Sequence, residues 1–143
     1  MKKETVNRMK LIIDSVSENE SFARYAVSAF AGRLDPGVDE LADIRTTVSE
    51  AVTNCIIHGY RHTSGKIVID VTLYGDRSVR IRISDKGCGI ADVDRAMQPL
   101  YTTDESGERG GMGFPIMQSF SDKLTVRSEV GRGTVVTMVK KFR

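Results

Sequence analysis

Residues 66–85 read KIVIDVTLYGDRSVRIRISD. Ile67, Ile69, Val71 and Leu73 fall at every second position, with Asp70 and Thr72 among the residues between them. Gly75-Asp76 supplies a turn. Val79, Ile81 and Ile83 then point one way, and Arg80 and Arg82 the other. A period of two on both sides of a turn is the mark of an antiparallel hairpin with one buried face.

Upstream, residues 7–16 partly alternate, with Met9, Leu11 and Ile13 on one side, which predicts a strand. Ser17 and Glu20 have the spacing of a capping box, so a helix is expected to open at Ser17. Phe22, Ala26, Phe30 and Leu34 follow at i, i+4 spacing beside Ala23 and Val27, giving that helix an apolar face. Leu34-Asp35-Pro36-Gly37 breaks the chain. A second helix is expected from near Pro36, carrying Leu41, Ile44, Val48, Val52, Cys55 and Ile56 on a stripe about 120° wide at 100° per residue. Glu50, Asn54 and His58 form a polar row on it, and Gly59 fits a C-terminal stop.

Downstream, residues 85–113 have no clear period and are rich in glycine, the residue that tolerates unusual backbone shapes. A short helix is predicted over residues 114–120, with Pro115 in its first turn. A second hairpin follows: residues 124–130, a turn at Gly131-Arg132-Gly133, then residues 134–139. Strand, helix, helix, hairpin, loop, helix, hairpin is an α+β order, a two-layer arrangement in which helices cover one face of a mostly antiparallel sheet.

The 143 residues are expected to form one domain, with 40% hydrophobic and 28% charged residues supporting a single core. Twenty-one Lys and Arg against 19 Asp and Glu give a net charge of +2, which does not point to direct nucleic-acid binding by a bulk basic field, although a local patch is compatible with it. The Lys and Arg residues on strand faces are most simply there for solubility. Two cysteines, Cys55 and Cys88, cannot make a Cys-rich zinc site and at most could form one disulfide. No leader-like or membrane-length apolar run is evident, so a soluble, cytoplasmic protein with reduced thiols is expected.

Three groups of residues carry candidate chemistry. Asp85-Lys86-Gly87-Cys88-Gly89 places an acceptor-only carboxylate at a strand end beside two glycines, which suits a ligand amino group such as that of adenine; the same residues also make ordinary turns. Arg109-Gly110-Gly111-Met112-Gly113-Phe114 leads into a helix and can present successive N–H groups and a permanent cation to phosphate oxygens, or can serve as a hinge. It lacks the Gly-Lys-Ser/Thr ending of a P-loop, and an antiparallel strand order lacks the βαβ unit of a Rossmann site. Glu50 and Asn54 lie one helical turn apart, a candidate general base and a hard ligand for Mg²⁺, or simply a solvated helix face. Cys55 reads as core, His58 as structural and Cys88 as a loop thiol.

In order, Glu50-x-x-x-Asn54, Asp85-x-Gly87-x-Gly89, Gly110-Gly111-x-Gly113 and Gly131-x-Gly133-Thr134 resemble the boxes of the GHKL ATP-binding superfamily. Ser17-Glu18-Asn19-Glu20-Ser21-Phe22-Ala23-Arg24, the stretch from Val48 through Asn54 with Ile56-Ile57-His58-Gly59-Tyr60, and Gly111-Met112-Gly113-Phe114 are similar to the anti-sigma F family of endospore-forming bacteria. The resemblance implies a Bergerat-type fold that binds ATP and Mg²⁺. It implies Glu50 as the general base, Asn54 on the metal and Asp85 on the adenine amine. It further implies that Gly87, Gly89, Arg109, Gly110, Gly111, Met112, Gly113, Phe114 and Thr134 surround the nucleotide. It implies a serine protein kinase that also holds a sigma factor, with an anti-anti-sigma protein as its substrate. Arg24, outside the ATP boxes, is the candidate partner contact, and a homodimer through the first strand or first helix is expected. The family often has Ser where Gly110 stands. Alternatives are a stress-response anti-sigma kinase, a non-catalytic ATP-gated clamp, and a histidine-kinase fragment; the last lacks a separate phosphoacceptor helix.

Overall fold

The computed structural model describes residues 4–98 and 113–143. Five strands form one sheet in the order β1-β2-β3-β5-β4, every neighbour antiparallel. They are β1 (Thr5–Asp14), β2 (Lys66–Tyr74), β3 (Ser78–Asp85), β4 (Lys123–Glu129) and β5 (Gly133–Lys141). The alternation at residues 66–85 is realised: Ile67, Ile69, Val71, Leu73, Val79, Ile81 and Ile83 are all buried. They meet α1 (Glu18–Ala31), α2 (Val38–Asn54) and α4 (Gly113–Ser119), with α2 packed against both of the others. A one-turn helix, α3 (Val93–Ala96), lies in the stretch expected to be irregular. The outcome is the α+β, two-layer arrangement expected, with helices on one face of the sheet.

Three local expectations are corrected. The capping box at Ser17 does not form, because Ser17 is helical (φ −58°, ψ −33°) and makes no side-chain cap. The Glu20 carboxylate instead accepts from the Ser49 hydroxyl of α2 and pairs with Arg24. A reach-back of the expected kind occurs at the next helix, where the Glu40 carboxylate accepts the Gly37 N–H at 3.0 Å and the Arg143 N–H at 3.0 Å. Those two backbone donors, Gly37 first, hold the Glu40 carboxyl below the usual range even though it is buried.

The core-facing row of α1 also differs. Ala23, Val27 and Ala31 are fully buried, whereas Phe22 is 57% exposed. Small residues at i, i+4, i+8 let α1 lie close against α2, and the aromatic row turns outward to the edge of that contact.

The third correction concerns the end of α2. The helix continues into a wider π turn, Cys55–Gly59, in which the Tyr60 N–H reaches back five residues to the Cys55 carbonyl at 2.8 Å. The left-handed residues that end this segment are Arg61 (φ 52°) and His62 (φ 64°), not Gly59. Gly59 is small for another reason, given below.

Candidate functional site

Asp85 ends β3 with its carboxyl turned into the helix layer, and only 7% of the residue is exposed. The Gly87 N–H donates to it at 2.8 Å, and the Thr134 N–H and the Cys55 thiol also hydrogen-bond to it. Burial pushes the Asp85 carboxyl up from its ordinary value, while the Gly87, Cys55 and Thr134 donors pull against that rise. Cys55 is driven well up, chiefly by burial and then by the neighbouring carboxylate, so the thiol keeps its proton and donates. Both cysteines are free thiols.

The loop after Asp85 is stitched to its surroundings through main chain. The Cys88 N–H donates to the Gly59 carbonyl at 2.9 Å, the Gly131 N–H to the Cys88 carbonyl at 2.8 Å, and the Lys86 N–H to the Tyr60 hydroxyl at 2.8 Å. These contacts explain two of the glycines. A Cβ on Gly87 would lie 2.2 Å from the Gly59 carbonyl oxygen; one on Gly89 (φ +77°) would lie 2.2 Å from that of Glu129. Backbone thus approaches backbone at both positions. Gly59 faces Asp85 itself: a Cβ there would sit 3.0 Å from the carboxyl carbon and from each of its oxygens.

Asp85 opens into a half-open cleft between α2, α4 and the sheet, with apolar walls and a few convergent polar groups, the usual character of a small-molecule site. Ala51, Ile90, Ala96, Phe114 and Val136 supply apolar walls, and Asn54, Asp85, Thr134, Cys55 and His58 the polar groups. Gly89 and Gly113 line it too; Gly87 does not. A flat heteroaromatic ring with an amino group fits apolar walls that end in an acceptor. Thr134 holds its hydroxyl 2.8 Å from that of Ser128, which accepts the Ile90 N–H at 2.7 Å.

Asn54 closes α2 beside Gly113, where a Cβ would come within 2.8 Å of its Nδ2. A side chain at 113 would therefore push the Asn54 amide out of its present position. Among the described residues no three His, Cys, Asp or Glu side chains gather into a metal cluster. The Asn54 amide in the lining offers a single hard oxygen, a donor that suits a cation such as Mg²⁺, which completes its shell with phosphate and water. Glu50 lies one turn before Asn54, half-buried, outside the cavity lining. Arg24 is elsewhere on α1. Its guanidinium pairs with Glu20 at 3.5 Å and stacks 5.1 Å from the Tyr25 ring centre, and its buried Nε has no partner. Arg109, Gly110, Gly111 and Met112 lie outside the described residues.

Of the residues singled out in the sequence, Asn54, Asp85, Gly89, Gly113, Phe114 and Thr134 converge on one cavity. Cys55 and Gly59 are site residues that the sequence reading placed in the core and at a helix stop. Cys55 follows Asn54 directly, and Gly59 stands in the Ile56-Ile57-His58-Gly59-Tyr60 stretch that carries part of the resemblance.

Comparison with known proteins agrees with this geometry. Residues 15–140 match the model of the histidine kinase-like ATPase domain. The anti-sigma F factor of Thermoanaerobacter sp. (strain X514) is 53% identical over 137 residues, covering 96% of this chain and 95% of that protein. The chain belongs to the anti-sigma F factor family. The family's protein from Geobacillus thermodenitrificans (strain NG80-2) is 51% identical over 134 residues, covering 94% and 92% of the two chains. Among solved structures, the RsbU and RsbW domains of a Mycobacterium tuberculosis protein align with a TM-score of 0.70 at 19% identity, over 96% of this chain and 33% of that one. A mycobacterial sensor histidine kinase, MprB, aligns with a TM-score of 0.59 at 12% identity, over 94% and 99%. At those identities the two structures speak to the fold. Membership of the anti-sigma F family brings an ATPase domain and hence ATP binding. Among the described residues, no helix is long and apolar enough to cross a membrane.

Proposed function

We propose that this chain binds ATP with Mg²⁺ in the cavity, holds a sporulation sigma factor, and phosphorylates a serine of an anti-anti-sigma protein. The observation that supports this best is the shared cavity of Asp85 and Asn54, a buried acceptor for the base and a hard oxygen for the metal, in a chain of this family. Asp85 accepts from the adenine amine, its orientation fixed by Gly87, Thr134 and Cys55. The Asn54 amide oxygen holds the metal, which when bound offsets phosphate charge. Glu50, one turn away, takes the proton of the attacking serine hydroxyl. The serine oxygen forms the new bond to the γ-phosphorus, the bond to the bridging oxygen breaks, and ADP departs. Gly110, Gly111 and Met112 complete the nucleotide's surroundings, Arg109 meets its terminal phosphates, and Gly87 acts through Asp85, to which its N–H donates.

Arg24 is the proposed contact to protein partners; it stands on α1 outside the cavity with about a third of its side chain exposed, 35%. A phosphate on the partner serine adds roughly −1.5 to −2 charge at pH 7, enough to eject that partner from a tight contact. A homodimer is proposed across β1 and α1, where Val6, Ile12, Phe22 and Tyr25 are all more than half exposed and β1 forms an open sheet edge. The cytoplasm is the proposed location.

Incubation with ATP and the candidate anti-anti-sigma protein, followed by mass spectrometry for phosphoserine, tests the reaction. Glu50→Gln is expected to slow transfer by about 10²–10⁴-fold with unchanged ATP affinity. Wild-type turnover in that variant would remove Glu50 as the base.

A further inference from the structure

The face of the sheet turned away from the helices is strongly basic. Strand register places Arg8, Thr72 and Arg80 side by side on β1, β2 and β3, and continues through Val139 of β5 to Lys123 of β4. The adjacent row holds Lys10, Asp70 and Arg82, and the next one Arg127 on β4. Arg8, Lys10, Arg80, Arg82, Lys123 and Arg127 are all exposed, and none forms an ion pair with a described residue. Adding Lys66 and Lys141, this face carries eight cations against the three carboxylates Asp14, Asp70 and Glu129, on a chain whose whole net charge is +2. Two of those carboxylates are already engaged, Asp14 by Lys66 and Glu129 by Arg132. Near-neutral composition therefore hides a segregated surface.

We propose that this outward sheet face docks the phosphate backbone of a nucleic-acid duplex. Strands stand about 4.8 Å apart and alternate residues about 6.8 Å apart, so Arg8, Arg80 and Lys123 form a row about 20 Å long with a cation every second strand. That length follows about six nucleotides of one strand at 3.4 Å each. Cations separated by 7–10 Å lie within about one Debye length at physiological salt, so they repel one another and gain from a polyanion laid over them. The middle of the face is Val68, Thr72, Val135 and Thr137, with no Trp, Phe or Met to anchor a protein hot spot; Ile12, a large exposed apolar side chain of this face, stands at its β1 edge. Four of the six unpaired cations are arginines, suited to phosphate oxygens. The proposal is independent of the nucleotide site, which lies on the helix side.

The test is fluorescence anisotropy of a labelled 20-base-pair DNA duplex titrated with the full chain between 50 and 200 mM KCl. Binding is expected with a dissociation constant on the order of 10⁻⁵ M. Engagement of Arg8, Lys10, Arg80 and Arg82 gives a slope of log K against log salt of about −3.6, or roughly 150-fold weakening over that range. Arg80→Gln/Arg82→Gln should halve the slope without moving the thermal midpoint, and Arg8→Gln/Lys10→Gln provides a second variant should the first not fold. Saturating Mg-ATP should leave duplex binding unchanged. No anisotropy change up to 200 μM protein, or an unaltered slope in both variants, would overturn the proposal. So would displacement by ATP, tighter binding to a poly-glutamate peptide than to the duplex, or loss of self-association in the variants, which would assign the face to the nucleotide cavity's competitor, an acidic protein or a second copy.

Discussion

Replacing Gly59 by alanine tests the proposed nucleotide site where its backbone comes against the Asp85 carboxyl. The residue has no left-handed φ, so alanine brings no backbone strain, and the new methyl would stand 3.0 Å from all three atoms of the Asp85 carboxyl group. Contacts that short oblige the carboxyl to move by a few tenths of an ångström. It is fastened by the Gly87 N–H at 2.8 Å, by Thr134 and by Cys55, so it cannot slide without weakening a donor. The methyl also excludes water from Asp85, which favours the protonated, non-accepting form. A hydrogen bond to a charged group contributes about 1.5–3 kcal/mol, so loss of the base contact should weaken ATP binding by about 10- to 150-fold. The fold should scarcely register the change: strain of about 1 kcal/mol lowers the melting midpoint of a chain this size by only about 2–4 °C. Titration calorimetry with Mg-ATP, paired with thermal melts, separates the two effects. Wild-type affinity in Gly59→Ala would refute Asp85 as the group that reads the base.

ATP affinity should decline in acid at a higher pH than an ordinary aspartate would produce, because burial raises the Asp85 carboxyl and its protonated form no longer accepts. Cys55→Ala removes one of the donors that oppose that rise, so its acid limb should move to still higher pH in the same calorimetric series. Iodoacetamide at neutral pH should label Cys88, which is partly exposed, far faster than the buried, proton-retaining Cys55; mass spectrometry of short time points reads the ratio, and equal rates would contradict the placement of Cys55. Glu40 titrates below its ordinary value in the folded state, so its stabilisation is complete above about pH 4.5 and is lost as pH falls through the folded value. The gap in melting midpoint between wild type and Glu40→Gln should therefore be widest above that pH and close in acid.

The strands were legible because each buries one face and the sequence repeats with that period. Ile67 through Ile83 could be read at sight, and the final hairpin followed from Gly131-Arg132-Gly133. The stripe of α2 was equally clear. The burial of α1 was not, since Phe22-Ala26-Phe30 and Ala23-Val27-Ala31 have the same spacing. Only the partner helix decides between them, and it favours the row that lets the two backbones come close. Ser17 and Glu20 satisfied a local capping rule, yet Ser49, 29 positions away, captured the carboxylate. At the site, Asp85 and Thr134 announced themselves as polar groups beside glycines, and Asn54 as the amide one helical turn after Glu50. Cys55 and Gly59 did not, because an apolar stripe and a helix stop are satisfactory local accounts of both, and their closeness to Asp85 depends on how β3 ends against α2.

The wide turn at Cys55–Gly59 sets the length of the chain between the cavity-lining amide of Asn54 and the main-chain oxygen that Gly59 lends to Cys88. It holds one residue more than a regular coil would place there. Shortening it by a single amino acid would restore an ordinary helix and is harmless by helical propensity alone, yet it would swing that oxygen about 100° around the axis. The molecule would keep its scaffold and lose the alignment of its two halves, so this is a segment where length, more than residue identity, is under constraint.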